Sequence, residues 1–245
     1  MSIVKKPFDP TVLIEPSLPP AHPELRLVAV MSLAGAASID GTSGSLGNEL
    51  DGRILTGVRV WSDVVLVGGG TVRAEDYGGV QCSDQDKAAR ARRGQAAVPP
   101  IAVITKSFGF DTSTQLFTDT EVPPIFLAPQ ASIDDPNLAD ARSSLSNVGA
   151  RIISTGDGSA QEIVDALHNA GFNRITCEGG PGLYGMLLSA GLGDIIHLTI
   201  DPTIHGNVEK TLFGAGGDYS ATLELEDIRV SEDSMMFCRF RRVRD

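Results

Sequence analysis

Several short segments of this 245-residue sequence combine residue types suited to anions or to proton transfer, and each follows an apolar run. Gly68-Gly69-Gly70-Thr71 closes the run Val64–Val67. Residues without a Cβ let the backbone approach a phosphate or a ring, and free amides at a helix start attract an anion. The pattern is neither the dinucleotide G-x-G-x-x-G nor a P-loop, since no Gly-Lys-Ser/Thr follows. Glu178-Gly179-Gly180-Pro181 closes a second run, Arg174–Cys177. Its glycines suit a pyrophosphate, but the carboxylate competes with an anion for the same amides. Glu178 is therefore expected to serve turnover, by orienting a substrate hydroxyl or sharing a proton. Thr105-Lys106-Ser107 offers one cation and two hydroxyls, a set that can hold a phosphate monoester. The loop spanning 35–48, with Ser32 ahead of it, carries Ser38, Asp40, Thr42 and Ser43. Ser32, Asp40 and Ser43 are the candidates for facing a substrate. The plainer alternatives are strand-ending turns for the glycines, a tight Asp40-Gly41 turn, a solvated Lys106 and a surface ion pair for Glu178.

Other chemistries lack support. His22, His168, His197 and His205 are scattered without metal-ligand spacing, and no nucleophile elbow accompanies a serine. Cys82, Cys177 and Cys238 form neither a disulfide framework nor a zinc set, which fits buried thiols in a reducing compartment. A net charge of -11 disfavours nucleic acid and anionic membrane as partners. No signal-like core or run of about 18 apolar residues is present, so a cytoplasmic location is expected.

The elements that must position these loops can be read from periodicity. Pro7, Pro10, Pro16, Pro19, Pro20 and Pro23 make residues 1–24 an extended arm, draped over the domain or a partner subunit. Residues 25–33, 64–67, 101–105, 125–128, around 152–153, 174–177 and 194–200 read as buried strands. Asn48 caps a helix over 49–61, and Pro181 opens another through 188. A charged, solvated helix is expected within 84–95. Ser159 and Glu162 suggest a capping box on a helix ended by Gly171. Residues 223–230 and 236–240 alternate with period two, an antiparallel pair turning near 231–234. The expected architecture is a single α/β domain over 25–245, with a mostly parallel sheet flanked by helices and closed by C-terminal antiparallel strands.

Three blocks together resemble a known family. They are Ser62-Asp-Val-Val-Leu-Val-Gly-Gly-Gly-Thr-Val-Arg-Ala-Glu-Asp76, Cys177-Glu-Gly-Gly-Pro-Gly-Leu183 with Ala190-Gly-Leu-Gly-Asp194, and Met31-Ser-Leu-Ala-Gly35 continuing to Ser38-Ile-Asp-Gly41. In this order they are similar to the reductase domain of the bifunctional deaminase-reductases of bacterial riboflavin biosynthesis, over about residues 25–243. The resemblance implies a dihydrofolate-reductase-like fold and a homodimer. It implies NADPH-dependent reduction of the ribose of 5-amino-6-(5-phosphoribosylamino)uracil to a ribityl chain. It places Gly68, Gly70, Thr71, Val72, Gly179 and Gly180 at NADPH and Glu178 beside the reacting ribose. Thr105 and Lys106 would then meet the cofactor's 2′-phosphate. Ala34 stands where the family carries an acid, and Ala36 where a basic residue is common. Either Asp40 takes over the acid's role or the substrate differs. With no His-x-Glu or Pro-Cys-x-x-Cys and no room for a deaminase, the chain reads as a stand-alone reductase or a diverged paralogue. A reductase of another pyrimidine or a pterin, dihydrofolate included, is the second reading, and a non-catalytic nucleotide-binding protein the third.

Overall fold

The computed structural model describes residues 8–19, 21–39, 41–204, 208, 210–213 and 218–244. In chain order its elements are α1 (Thr11–Ile14), β1 (Glu24–Ser32), α2 (Glu49–Trp61), β2 (Val64–Gly68), α3 (Gly69–Ala74) and α4 (Asp84–Arg92). There follow β3 (Ile101–Ile104), α5 (Gln115–Thr118), β4 (Ile125–Ala128), α6 (Gln130–Asp134), α7 (Ala139–Asn147), β5 (Arg151–Ser154) and α8 (Ala160–Asn169). The chain continues with β6 (Arg174–Cys177), α9 (Pro181–Ser189), β7 (Ile195–Asp201), β8 (Leu223–Val230) and β9 (Met236–Arg242). One nine-stranded sheet has the order β5-β4-β3-β2-β6-β1-β7-β9-β8. The seven strands from β5 to β7 pair in parallel, and β9 and β8 close that edge antiparallel.

Period-two side-chain alternation lets each inner strand feed two cores. On β2, Val64 and Leu66 join α8 and α9 on one face. Val65 and Val67 join Val72, Leu116 and Leu145 on the other. A third cluster holds Leu13, Ile14, Ile54, Val58, Trp61 and Phe237, and so binds α1, α2 and β9 together.

Two expectations need correction here. The arm is not wholly extended, because Thr11–Ile14 form one helical turn. The five residues between Pro10 and Pro16 are free of proline, and Pro10, with φ -54°, presets the first turn. The arm lies on its own domain, with three arginines gripping its carbonyls. Arg26 donates to Ile14 O (2.7 Å), Arg239 to Ile14 O (2.8 Å), Leu13 O and Pro16 O, and Arg174 to Leu18 O (2.8 Å). Helix α4 is not solvated throughout. Arg90 is fully buried, and its guanidinium donates to the carbonyls of Val60, Ser62 and Ala96. The Ser159 cap accepts from Glu162 N (3.4 Å), the first half of the expected box.

All three cysteines are buried free thiols, and burial pushes Cys177 up to about 12. Among the described residues, no helix is long and apolar enough to cross a membrane.

Candidate active site

In a parallel sheet the loops after the carboxyl ends of adjacent strands face the same way, which is where ligands bind. Here the loops after β2, β6 and β1 open onto one cavity of about 830 Å³, walled on its far side by α2. The two glycine loops are joined directly. Gly68 N donates to Gly179 O (2.6 Å), and Glu178 N donates to Leu66 O (2.9 Å). Gly179 has φ +82°, and a Cβ on it would stand 2.5 Å from the Tyr184 ring, so only glycine fits. Tyr184 is itself buried, donates to Val28 O, and is pushed well above its ordinary value by burial. A Cβ on Gly180 would lie 2.6 Å from Thr71 Oγ1, which keeps that hydroxyl against the loop.

Gly68, Gly70, Thr71 and Gly180 line the cavity as expected. A Cβ on Gly70 would meet nothing within 4 Å, so its backbone borders open cavity space. Gly179 lies behind this wall, as the acceptor for Gly68.

Glu178 also lines the cavity, but it is not free. Arg59 on α2 clamps it through Nε to Oε1 (2.7 Å) and Nη2 to Oε2 (2.6 Å). The side chains are 4 % exposed for Glu178 and 21 % for Arg59. A bidentate fork at this burial is strong and directional. Burial opposes the Arg59 charge, yet the adjacent carboxylate raises its pKa above the ordinary value. The same Nη2 donates to Tyr77 OH (3.0 Å). The fork thus fixes the orientation of the Glu178 side chain, whose oxygens can accept from a substrate hydroxyl.

Asp51 is a second cavity acid. Asn48 accepts from Leu50 N (2.9 Å) and Asp51 N (3.0 Å), which fixes the first turn of α2. Thr199 Oγ1 on β7 donates to Asp51 Oδ1. Burial raises the Asp51 carboxyl above its ordinary value, and the Thr199 bond only partly opposes this. Among the cavity's described residues, Asp51, Glu75, Asp76 and Glu178 face the cations Arg59 and Lys210.

Other expected site residues stand elsewhere. Val72 points into the second core and is 4 % exposed, because α3 turns its apolar side to the sheet. Ser32 is buried, and its hydroxyl accepts from Ala36 N (3.2 Å), holding the turn after β1 rather than a ligand. Thr105 Oγ1 is taken up by Ser107 N and Phe108 N, so it caps a turn, and Lys106 is exposed outside the cavity lining. Ser43 does line the cavity, with its amide held by Glu75 Oε1 (2.7 Å). Asp40 and His205 lie outside the described residues. Sequence reasoning overlooked Asp51 and Arg59, although the signal was present. Asp51, Leu55 and Arg59, four apart on a capped helix, form one stripe, and all three line the cavity.

Comparison with known proteins places the chain in a family and a fold. The family model described as the RibD C-terminal domain matches residues 23–237. The 2,5-diamino-6-ribosylamino-4(3H)-pyrimidinone 5′-phosphate reductase of Archaeoglobus fulgidus is 24% identical over 220 residues, covering 84% of this chain and 96% of its own. A crystal structure of a pyrimidine reductase-like protein from Corynebacterium diphtheriae is 32% identical, with a TM-score of 0.83, over 91% of this chain and 93% of that one. Acinetobacter baumannii RibD shares the fold at 17% identity and a TM-score of 0.70, over 91% of this chain and 59% of its own.

Proposed function

Because the chain belongs to the RibD C-terminal domain family, we propose that it is an NADPH-dependent reductase of 5-amino-6-(5-phosphoribosylamino)uracil, acting in riboflavin biosynthesis in the cytoplasm. The observation that carries this reading is the junction of the Gly68 and Gly179 loops beside open space at Gly70, directly next to the clamped Glu178. The site fits the cofactor on its own terms, since side-chain-free backbone borders the space a flat, phosphorylated ligand needs. NADPH, when bound, supplies the hydride. Gly68, Gly70, Thr71 and Gly180 form the wall that orients it. Glu178, fixed by Arg59, accepts from a ribose hydroxyl and sets the sugar carbon against that wall.

One observation favours a second reading, a reductase of another pyrimidine or a pterin. Ala36 is 1 % exposed and bridges Thr211, so no basic side chain reaches the cavity from this position, while Asp51, Glu75 and Asp76 add negative charge. An NADPH-oxidation assay across the phosphoribosylamino-uracil, dihydrofolate and a dihydropterin separates these. Turnover of the first is expected. Turnover of only the others would move the assignment to the second reading, and cofactor binding without any turnover would leave a nucleotide-binding protein.

The same reading includes a homodimer. Leu223, Leu225 and Ile228 are exposed along the edge strand β8, a surface that a second copy can cover. A monomeric mass by light scattering at micromolar concentration would refute it.

A further inference from the structure

Charge is unevenly placed around this site. Inside the cavity four carboxylates face two cations, and one of those, Arg59, is spent on Glu178. Just beyond it, at the carboxyl ends of β2 and β3, the balance reverses. Gly68 of β2 pairs with Ile104 of β3, so α3 and the turn 105–108 stand side by side. Arg73 of α3 and Lys106 of that turn are both exposed, and neither has a carboxylate partner among the described residues. In a chain of net charge -11, two unneutralised cations on neighbouring segments need a reason.

Arg73 is also oriented. Its guanidinium carbon lies 5.1 Å from the centroid of the Phe110 ring, and Phe110 is anchored 5.0 Å from Phe126 in the second core. Gly69 fixes the approach, since a Cβ there would stand 3.0 Å from both Ile104 O and Phe110 Cζ and 3.5 Å from Arg73 Nη1. A guanidinium laid on an aromatic ring presents its outer plane to a purine and its N–H edge to a phosphate.

We propose that Arg73, seated on Phe110 with Lys106 beside it, is the residue by which this site tells a 2′-phosphorylated adenosine from an unphosphorylated one. The inference rests on the nicotinamide reading above and names the group that sets cofactor choice. It replaces the Thr105 hydroxyl, which is occupied in capping its turn, and leaves Lys106 a supporting point charge. The placement also keeps the dianion outside the carboxylate-lined cavity, where it would be repelled.

The test is equilibrium binding, read by fluorescence or calorimetry, of NADPH, NADH, 2′-phospho-ADP-ribose and ADP-ribose to the full chain. Charge-assisted hydrogen bonds to an exposed phosphate make a loss of about tenfold or more the expected effect of Arg73→Ala on the two 2′-phosphorylated ligands. NADH and ADP-ribose should change by less than about twofold. Arg73→Lys keeps the charge without the plane and should recover only part of the preference, and Lys106→Ala should lose less than Arg73→Ala. Because Arg73 is exposed, an unchanged melting temperature verifies that the variant is folded. Equal losses for phosphorylated and unphosphorylated ligands, or no loss for either, would overturn the proposal while leaving the cofactor reading standing. Failure of the unmodified chain to bind any of the four ligands would overturn both.

Discussion

Replacing Glu178 by glutamine keeps the side chain's size and one acceptor oxygen while deleting its charge. Arg59 then remains largely buried without its counter-ion. Removing one partner of a fully buried pair costs about 3–5 kcal/mol. Here Arg59 keeps 21 % exposure and its bond to Tyr77, so we expect about 2 kcal/mol, below that range. For a chain of this length that corresponds to a fall of roughly 4–8 °C in Tm. Substituting Arg59→Met in the same background should recover part of the loss, with a coupling of about 1–3 kcal/mol in a double-mutant cycle. In turnover, Glu178→Gln should lower kcat by about tenfold or more, a change of at least about 1.4 kcal/mol in the barrier. NADPH affinity should stay equal or tighten slightly, because a negative charge beside the glycine loops proposed to hold the cofactor has gone. Melting curves, cofactor titration and steady-state kinetics on the four proteins decide the matter. Unchanged kcat with the true substrate would remove Glu178 from the mechanism. Zero coupling to Arg59 would show that the clamp does not hold it.

Burial raises the Asp51 carboxyl above its ordinary 3.8. Its contribution to stability is therefore complete below about pH 3.8 and is lost as pH rises through the folded value. Asp51→Asn should accordingly raise Tm at neutral pH, and a lower Tm at pH 7 would contradict this. His197 is pushed well below 6.5 by burial and then by Arg26 and Arg239. Its contribution is present above about pH 6.5 and is lost as pH falls toward the folded value. His197→Leu should flatten Tm against pH on that acid side, and an unaltered slope would refute the assignment. Gly70→Val fills the space beside the proposed cofactor wall and should weaken NADPH binding about tenfold or more at unchanged Tm, so equal affinity in the folded variant counts against that proposal.

Much of the scaffold was legible because it depends on local patterns. The Asn48 cap, the run at β2, the Pro181 start of α9 and the period-two alternation of β8 and β9 each occupy a few consecutive residues, and the structure places each of them as read. The glycine loops were legible for the same reason. What escaped was set by tertiary partners. Val72 follows Thr71 directly, but its direction depends on which side α3 packs. The Thr105 hydroxyl looked available until the fold gave it two amides of its own turn. Arg59 and Glu178 are 119 residues apart, and no local rule pairs them. Arg90 looked solvated within a charged stretch, but the carbonyls of Val60 at the end of α2 and of Ser62 and Ala96 in neighbouring loops accept from it.

The grip on the N-terminal arm has a kinetic consequence. Its holders are Arg26, Arg174 and Arg239, and the last is 226 residues from Leu13. Closing a loop of that length costs about 5 kcal/mol of chain entropy unless intervening structure has already shortened it. Leu13 and Ile14 therefore leave the ribosome among the earliest described residues and reach their final place among the latest, once β6, β1, β7 and β9 have been laid side by side. Until then the growing chain carries an unattached apolar segment, and protection of those amides from hydrogen exchange marks the moment at which the sheet is complete.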